Sequence, residues 1–192
     1  TSAGEFTDGH QSEGASVIML LDIPKEEYSI FFETIGDGSS EVTARQLGEV
    51  ALRQFNHPAI IFCSTFLSAE GIAIDGETLM RNIENVVGSQ VNIFGGMAGD
   101  DLSFTGSYVF TNNDATDYGL VALIVDADKI AMQGMAISGW KPMGISRTIT
   151  KSEGNLIYTI DDKPALETYM RFLGGDLSTA DDNFNFFDSI GV

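Results

Sequence analysis

The chain's 192 residues, 43% of them hydrophobic, are enough for one compact domain with a real core and too apolar for a disordered chain. Its 28 acidic against 10 basic side chains give a formal net charge of −18, which argues against nucleic acid and anionic membrane surfaces as partners. No apolar run exceeds residues 119–125, too short to cross a bilayer, and the single cysteine, Cys63, suits a reducing compartment, so a cytoplasmic location is expected.

In chain order, residues 1–14 lack periodicity and read as loop. Residues 16–21 are an unbroken apolar run, read as a buried strand; 28–33 read as a second strand beside it, set off by Pro24 and a Gly36-Asp37-Gly38 turn. Ser39 or Ser40 caps a helix whose Val42, Leu47, Val50, Ala51 and Phe55 share one face, and Asn56-His57-Pro58 stops it. Residues 59–63 read as a buried strand, 76–87 as a helix burying Leu79, Met80, Ile83 and Val86, and 91–94 as the next strand. This βα-then-β order predicts parallel pairing.

Beyond residue 94 the pattern changes. Apolar segments at 107–110, 119–125, 130–137, 146–150 and 156–160 alternate with turn signals at Asn112-Asn113-Asp114, Asp126-Ala127-Asp128 and Glu153-Gly154-Asn155. That is the pattern of an antiparallel meander, with a bulge at Gly134. A final helix is expected from Asp162, with Pro164 in its first turn, Leu166, Tyr169, Met170 and Leu173 inward, and Gly174-Gly175 ending it. The predicted fold class is α/β (α+β): a mixed sheet with a parallel βαβ-type first half and an antiparallel meander second half, helices packed on the sheet.

The stretch with most chemical content runs from Asn92 to Asp101. A strand-like segment ends in Gly95, Gly96 and Gly99, with Ala98 between them and Asp100 and Asp101 following. Glycine lets the backbone take positive φ and lets a ligand approach closely. Such a loop either cradles a small polar molecule with its N–H groups and carboxylates or closes as a tight turn on its own aspartates. Ser64 and Thr65 leave the end of the 59–63 strand, where α/β proteins often bind ligands. Trp140, the only tryptophan, sits in a turn between Gly139 and Lys141, as a lid over a pocket or a plug over the core.

Catalytic and metal readings find little. A nucleophilic Cys63 needs a histidine base, and His57 stands at the opposite end of the same strand, so a buried, inert thiol is expected and no catalytic residue is assigned. His10 and His57 are the only histidines and lack ligand spacing, so no metal site is expected. Asp161-Asp162 reads as helix capping.

One ordered set of motifs is distinctive: Thr1-Ser2-Ala3-Gly4-Glu5, Gly95-Gly96-Met97-Ala98-Gly99-Asp100-Asp101, Gly139-Trp140-Lys141-Pro142-Met143-Gly144, residues 148–155, and Asp161-Asp162-Lys163-Pro164-Ala165-Leu166 with Tyr169 and Gly174. In this order they resemble the N-terminal half of FIST domains, sensory modules named for F-box and intracellular signal transduction proteins. The resemblance spans 1–175, with the family's first strand–helix–strand expected upstream; 176–192 would be a linker or the start of a C-terminal FIST half. It implies a cytoplasmic, non-catalytic domain that binds a small ligand such as an amino acid and acts with a C-terminal half and an output such as a histidine kinase. The resemblance assigns no ligand contacts by position; on the loop chemistry above, the ligand-binding residues expected are Gly95, Gly96, Ala98, Gly99, Asp100, Asp101, Trp140, Ser64 and Thr65, without a cofactor. A nitric-oxide-sensing branch of FIST-like proteins binds haem, which gives the alternative of haem on His57; a hydrolase using Cys63 or Ser64 is the third reading.

Overall fold

Segments rich in Ile, Val and Phe become strands because branched and aromatic side chains pack well on a pleated surface, and four of them form the central sheet. The computed structural model describes residues 1–2, 4–35, 39–100, 103–135, 141–142, 144–154 and 156–173, in two compact units, Thr1–Ala136 and Ile137–Val192.

The first unit opens with a hairpin of β1 (Glu5–Thr7) and β2 (His10–Ser12). Its turn residues Asp8 and Gly9 both have positive φ, 50° and 78°, the geometry of a two-residue type I′ turn. There follow β3 (Tyr28–Thr34), α1 (Ser40–Gln54), β4 (Pro58–Ser64), α2 (Gly76–Val87), β5 (Ile93–Met97), β6 (Val109–Phe110), β7 (Ala115–Thr116) and β8 (Gly119–Asp126). The central sheet has the order β3-β8-β4-β5. Strands β4 and β5 are parallel, while β8 lies antiparallel between β3 and β4, where Ala122 stands opposite both Phe31 and Phe62.

One face of this sheet carries Phe31, Ile60, Phe62, Leu120 and Ile124, buried with Ala44, Leu47 and Ala51 of α1 and Leu79 and Ile83 of α2. Burying one such large apolar side chain contributes about 1.5–3 kcal/mol, so this layer holds the unit together. The helices approach closely because α1 presents Gly48 to α2: a Cβ there would lie 2.8 Å from that of Val86. Ser39 caps α1 by accepting from Val42 N–H at 3.3 Å. Asp75 caps α2, taking the Thr78 hydroxyl at 2.6 Å and Glu77 N–H at 3.1 Å. Asp75→Ala is expected to lower stability by about 1 kcal/mol, the usual cost of a lost cap, with Asp75→Asn retaining most of it. Chemical denaturation of both variants checks this, and equal midpoints for Ala and wild type would remove the cap from the account.

In the second unit, β10 (Leu156–Ile160) pairs antiparallel with β9 (Ile149–Glu153) and with β11 (Lys163–Pro164), and α3 (Ala165–Leu173) follows. Asp161 and Asp162 are the two residues between Ile160 and Lys163, with φ of 49° and 61°. They form a second type I′ turn, not a helix cap, and α3 begins at Ala165 with Pro164 just before it. Among the described residues three α-helices and several sheets, the central one mixed, make the expected α+β class.

The structure revises several elements. Residues 16–21 form no strand, with Ile18 and Leu20 80% and 90% exposed, and β3 takes β8 as its neighbour. An apolar run is buried only where a partner surface reaches it. Residues 119–125 do form a strand, but inside the sheet, not in a meander. The 107–110 segment shortens to Val109–Phe110, 130–135 is irregular, and 146–150 shifts to Ile149–Glu153. On α1, Val42 is half exposed while Thr43 and Ala44 are buried; on α3, Met170 is buried while Leu166 and Tyr169 are exposed. Gly36-Asp37-Gly38, 136–137 and Gly174-Gly175 lie outside the described residues.

Candidate functional site

The strand read as 91–94 runs on to Met97, so Gly95 and Gly96 belong to β5 and not to a loop. A strand accepts these glycines because β4 supplies the ladder, with Phe62 opposite Gly95 and Cys63 opposite Gly96. Gly95 has φ of 153°, and a Cβ there would fall 1.9 Å from the Phe62 carbonyl oxygen. The residue is glycine because nothing larger fits. Gly96 meets nothing within 4 Å and simply leaves room.

Strand β5 ends the sheet order, so its outer edge has no strand partner among the described residues. Asn92 C=O accepts from Ile60 N–H at 2.9 Å, and Ala98 N–H donates to Ser64 C=O at 2.7 Å. In a parallel ladder the residue that addresses its neighbour alternates along the strand. The backbone groups of Ile93, Gly95 and Met97 therefore face away from β4. Beside this edge lies a hollow of about 780 Å³ whose lining includes Gly95, Gly96, Phe62 and Phe94. Met80 of α2, Met97 of β5, and Met132 and Met135 of the irregular segment also line it, and Gln133 is the one polar side chain among its described lining residues. Asn92 Nδ2 donates to Met132 C=O at 3.2 Å, tying that segment to the start of β5. Two more glycines make space: a Cβ on Gly76 would lie 2.8 Å from Met97 Sδ, and one on Gly134 2.5 Å from the Phe94 ring.

The other expected contacts are spent elsewhere. The N–H groups of Ala98 and Gly99 donate to the carbonyls of Ser64 (2.7 Å) and Thr1 (3.3 Å). Asp100 Oδ2 accepts from the N–H groups of Thr105 (2.6 Å) and Gly106 (3.1 Å) and from the Ser103 hydroxyl (3.2 Å). Desolvation works against ionising Asp100, yet these backbone donors and Ser103 outweigh it and hold the carboxyl below the ordinary range. This is the turn closed on its own aspartate. Ser64 and Thr65 are fully buried and do not line the hollow. Thr65 Oγ1 accepts from Gly119 N–H at 3.0 Å, whereas Ser64 Oγ is buried with no partner among the described residues. Asp101 and Trp140 lie outside the described residues.

His57 is exposed, and its Nδ1 lies 2.9 Å from both Asp128 carboxylate oxygens. The hydrogen bond and charge of Asp128 raise its pKa above the ordinary histidine value. It is not among the residues lining the hollow. Cys63 is exposed, not buried as expected, yet partial desolvation still pushes its thiol pKa up, the opposite of an activated nucleophile. Among the described residues no three His, Cys, Asp or Glu side chains gather as a metal site, and no helix is long and apolar enough to cross a membrane. What sequence reasoning missed is the methionines: four of the chain's seven converge here from three separate segments.

The first unit is thus a mixed α+β unit with a hollow of about 780 Å³ beside its edge strand. Residues 1–163 match the FIST N domain model, and the chain belongs to the FIST family, whose domains are associated with signal transduction. No curated protein and no solved structure gives a match.

Proposed function

We propose that this FIST domain is the non-catalytic sensory input of a signal transduction protein and that it binds an amino acid with an apolar side chain in the hollow beside β5. The observation that carries this reading is the hollow itself, about 780 Å³, within the range of roughly 300–1,000 Å³ usual for small-molecule sites. Its methionines adapt to an irregular apolar group. The outward backbone groups of Gly95 and the side chain of Gln133 offer the few polar contacts that orient a ligand. The signal then passes to a C-terminal FIST half and an output such as a histidine kinase, with no cofactor required.

A thermal-shift series on the full-length polypeptide tests this. Leucine, methionine and phenylalanine are expected to raise Tm while aspartate and lysine do not; a ligand at a hundred times its Kd adds about 2.7 kcal/mol. Met97→Glu, which puts a carboxylate into the hollow, is expected to abolish the shift. A flat response to all the amino acids, or the same shift in Met97→Glu, sinks the proposal.

A further inference from the structure

The second unit carries a hollow of a different character. It measures about 550 Å³ and is lined by Arg147, Lys163, Glu167, Thr168, Arg171 and Phe172. Three of the chain's 10 cations therefore face one concavity in a protein of net charge −18. In so acidic a chain, a basic side chain has abundant carboxylates with which to pair.

One of these cations, Arg171, does not pair. Glu167 stands four residues before Arg171 on α3, the spacing at which helical ion pairs form. No ion pair joins them, and among the described residues the Arg171 guanidinium has no hydrogen-bonding or ion-pair partner; Lys163 makes no ion pair, but its charge acts on Asp161. Arg147 is held instead. Its Nη1 donates to Asp161 Oδ2 at 2.8 Å, and its guanidinium lies 4.8 Å from the centre of the Phe172 ring. Asp161 is itself fixed, since its Oδ1 accepts from Thr148 N–H at 3.0 Å in the type I′ turn. Arg147 is thus oriented by a carboxylate and a ring, Lys163 lies within the field of the same Asp161, and Arg171 stands unpaired around the same space.

We propose that this hollow is a binding site for a small organic oxyanion, a molecule whose phosphate or carboxylate group meets Arg171, Lys163 and Arg147 while its carbon skeleton lies against Phe172. Guanidinium groups match the planar or tetrahedral faces of both anion types with paired N–H donors, and the Thr168 hydroxyl adds a neutral donor. The site belongs to the second unit and shares no lining residue with the hollow beside β5, so it stands whether or not that site binds an amino acid.

Amide-resolved NMR titration of the full chain with pyrophosphate and, separately, with succinate tests the assignment. At about 20 mM salt, where charges are weakly screened, at least one anion is expected to saturate, with shifts confined to Arg147 and residues 163–172. Which anion binds more tightly separates a phosphate from a carboxylate source. The double variant Lys163→Gln, Arg171→Gln removes two exposed charges and is expected to keep the fold, read from the unshifted remainder of the spectrum. Its Kd should rise by about tenfold or more, while Met97→Glu leaves the titration unchanged. Saturation by neither anion, shifts mapping elsewhere, or an unaltered Kd in the double variant overturns the site.

Discussion

Gly95→Ala is expected to destabilise the first unit by about 2–6 kcal/mol, a large share of the 5–15 kcal/mol that holds an ordinary domain together. Two costs add. A non-glycine residue at φ near 153° is strained by about 1–3 kcal/mol. The new Cβ would also stand 1.9 Å from the Phe62 carbonyl oxygen, and forcing atoms into filled space typically costs about 1–3 kcal/mol more. Because that oxygen is backbone in the neighbouring strand, no side-chain rotation relieves the clash; the β4–β5 ladder has to part. Gly96→Ala is the control. It meets nothing within 4 Å and is expected to change stability by less than about 1 kcal/mol in either direction. Urea denaturation of the two variants separates them, and equal midpoints would refute the strand geometry.

Ile60→Ala is expected to cost about 2–5 kcal/mol, the range for truncating a fully buried aliphatic side chain. Ile60 is 0% exposed in the middle of β4, opposite Ile93 on one side and Ile124 on the other. Both neighbours are fixed by the ladder, so the space left cannot readily collapse. Ile30, on β3 and 51% exposed, buries far less, and Ile30→Ala is expected to fall within about 1 kcal/mol of wild type. A similar loss for both would mean that the helices do not cover the face assigned to the core.

The parts of this fold legible in the sequence are those set by neighbouring residues. Helix α2 runs from Gly76 to Val87 as its periodicity predicts, and Ser39 caps α1 as its position predicts. Strand β4 was equally plain from its unbroken apolar run. What stayed hidden depends on distant partners. Residues 119–125 announce a strand, but nothing local says that it will insert between β3 and β4. Residues 16–21 announce a strand just as strongly and find no ladder. The Asp8-Gly9 pair is the opposite case, a strong local hairpin signal inside a segment without periodicity.

The site divides along the same line. Gly95 and Gly96 stood out as places of close approach, and both line the hollow. They lie in a strand and not a loop because Phe62 and Cys63 across the ladder override the weak local strand preference of glycine. Asp100 looked like a ligand contact only until its three donors, all within six residues, closed the turn. Met80, Met97, Met132 and Met135 carry no spacing that unites them; only the chain's path through space does. The basic hollow of the second unit was equally silent, since Arg147 lies far from Lys163 and Arg171 in sequence.

The order of the central sheet constrains how the polypeptide reaches its native state. Tyr28 is matched with Val125, and Pro58 with Asp126, so β3 and β4 are joined only through a strand made much later. During synthesis the early half emerges with its apolar face lacking the piece that completes it. Pairings so distant along the chain slow closure and prolong exposure to sticky encounters. Closure of the β3-β8-β4-β5 sheet therefore waits for β8, the last of its strands to be made.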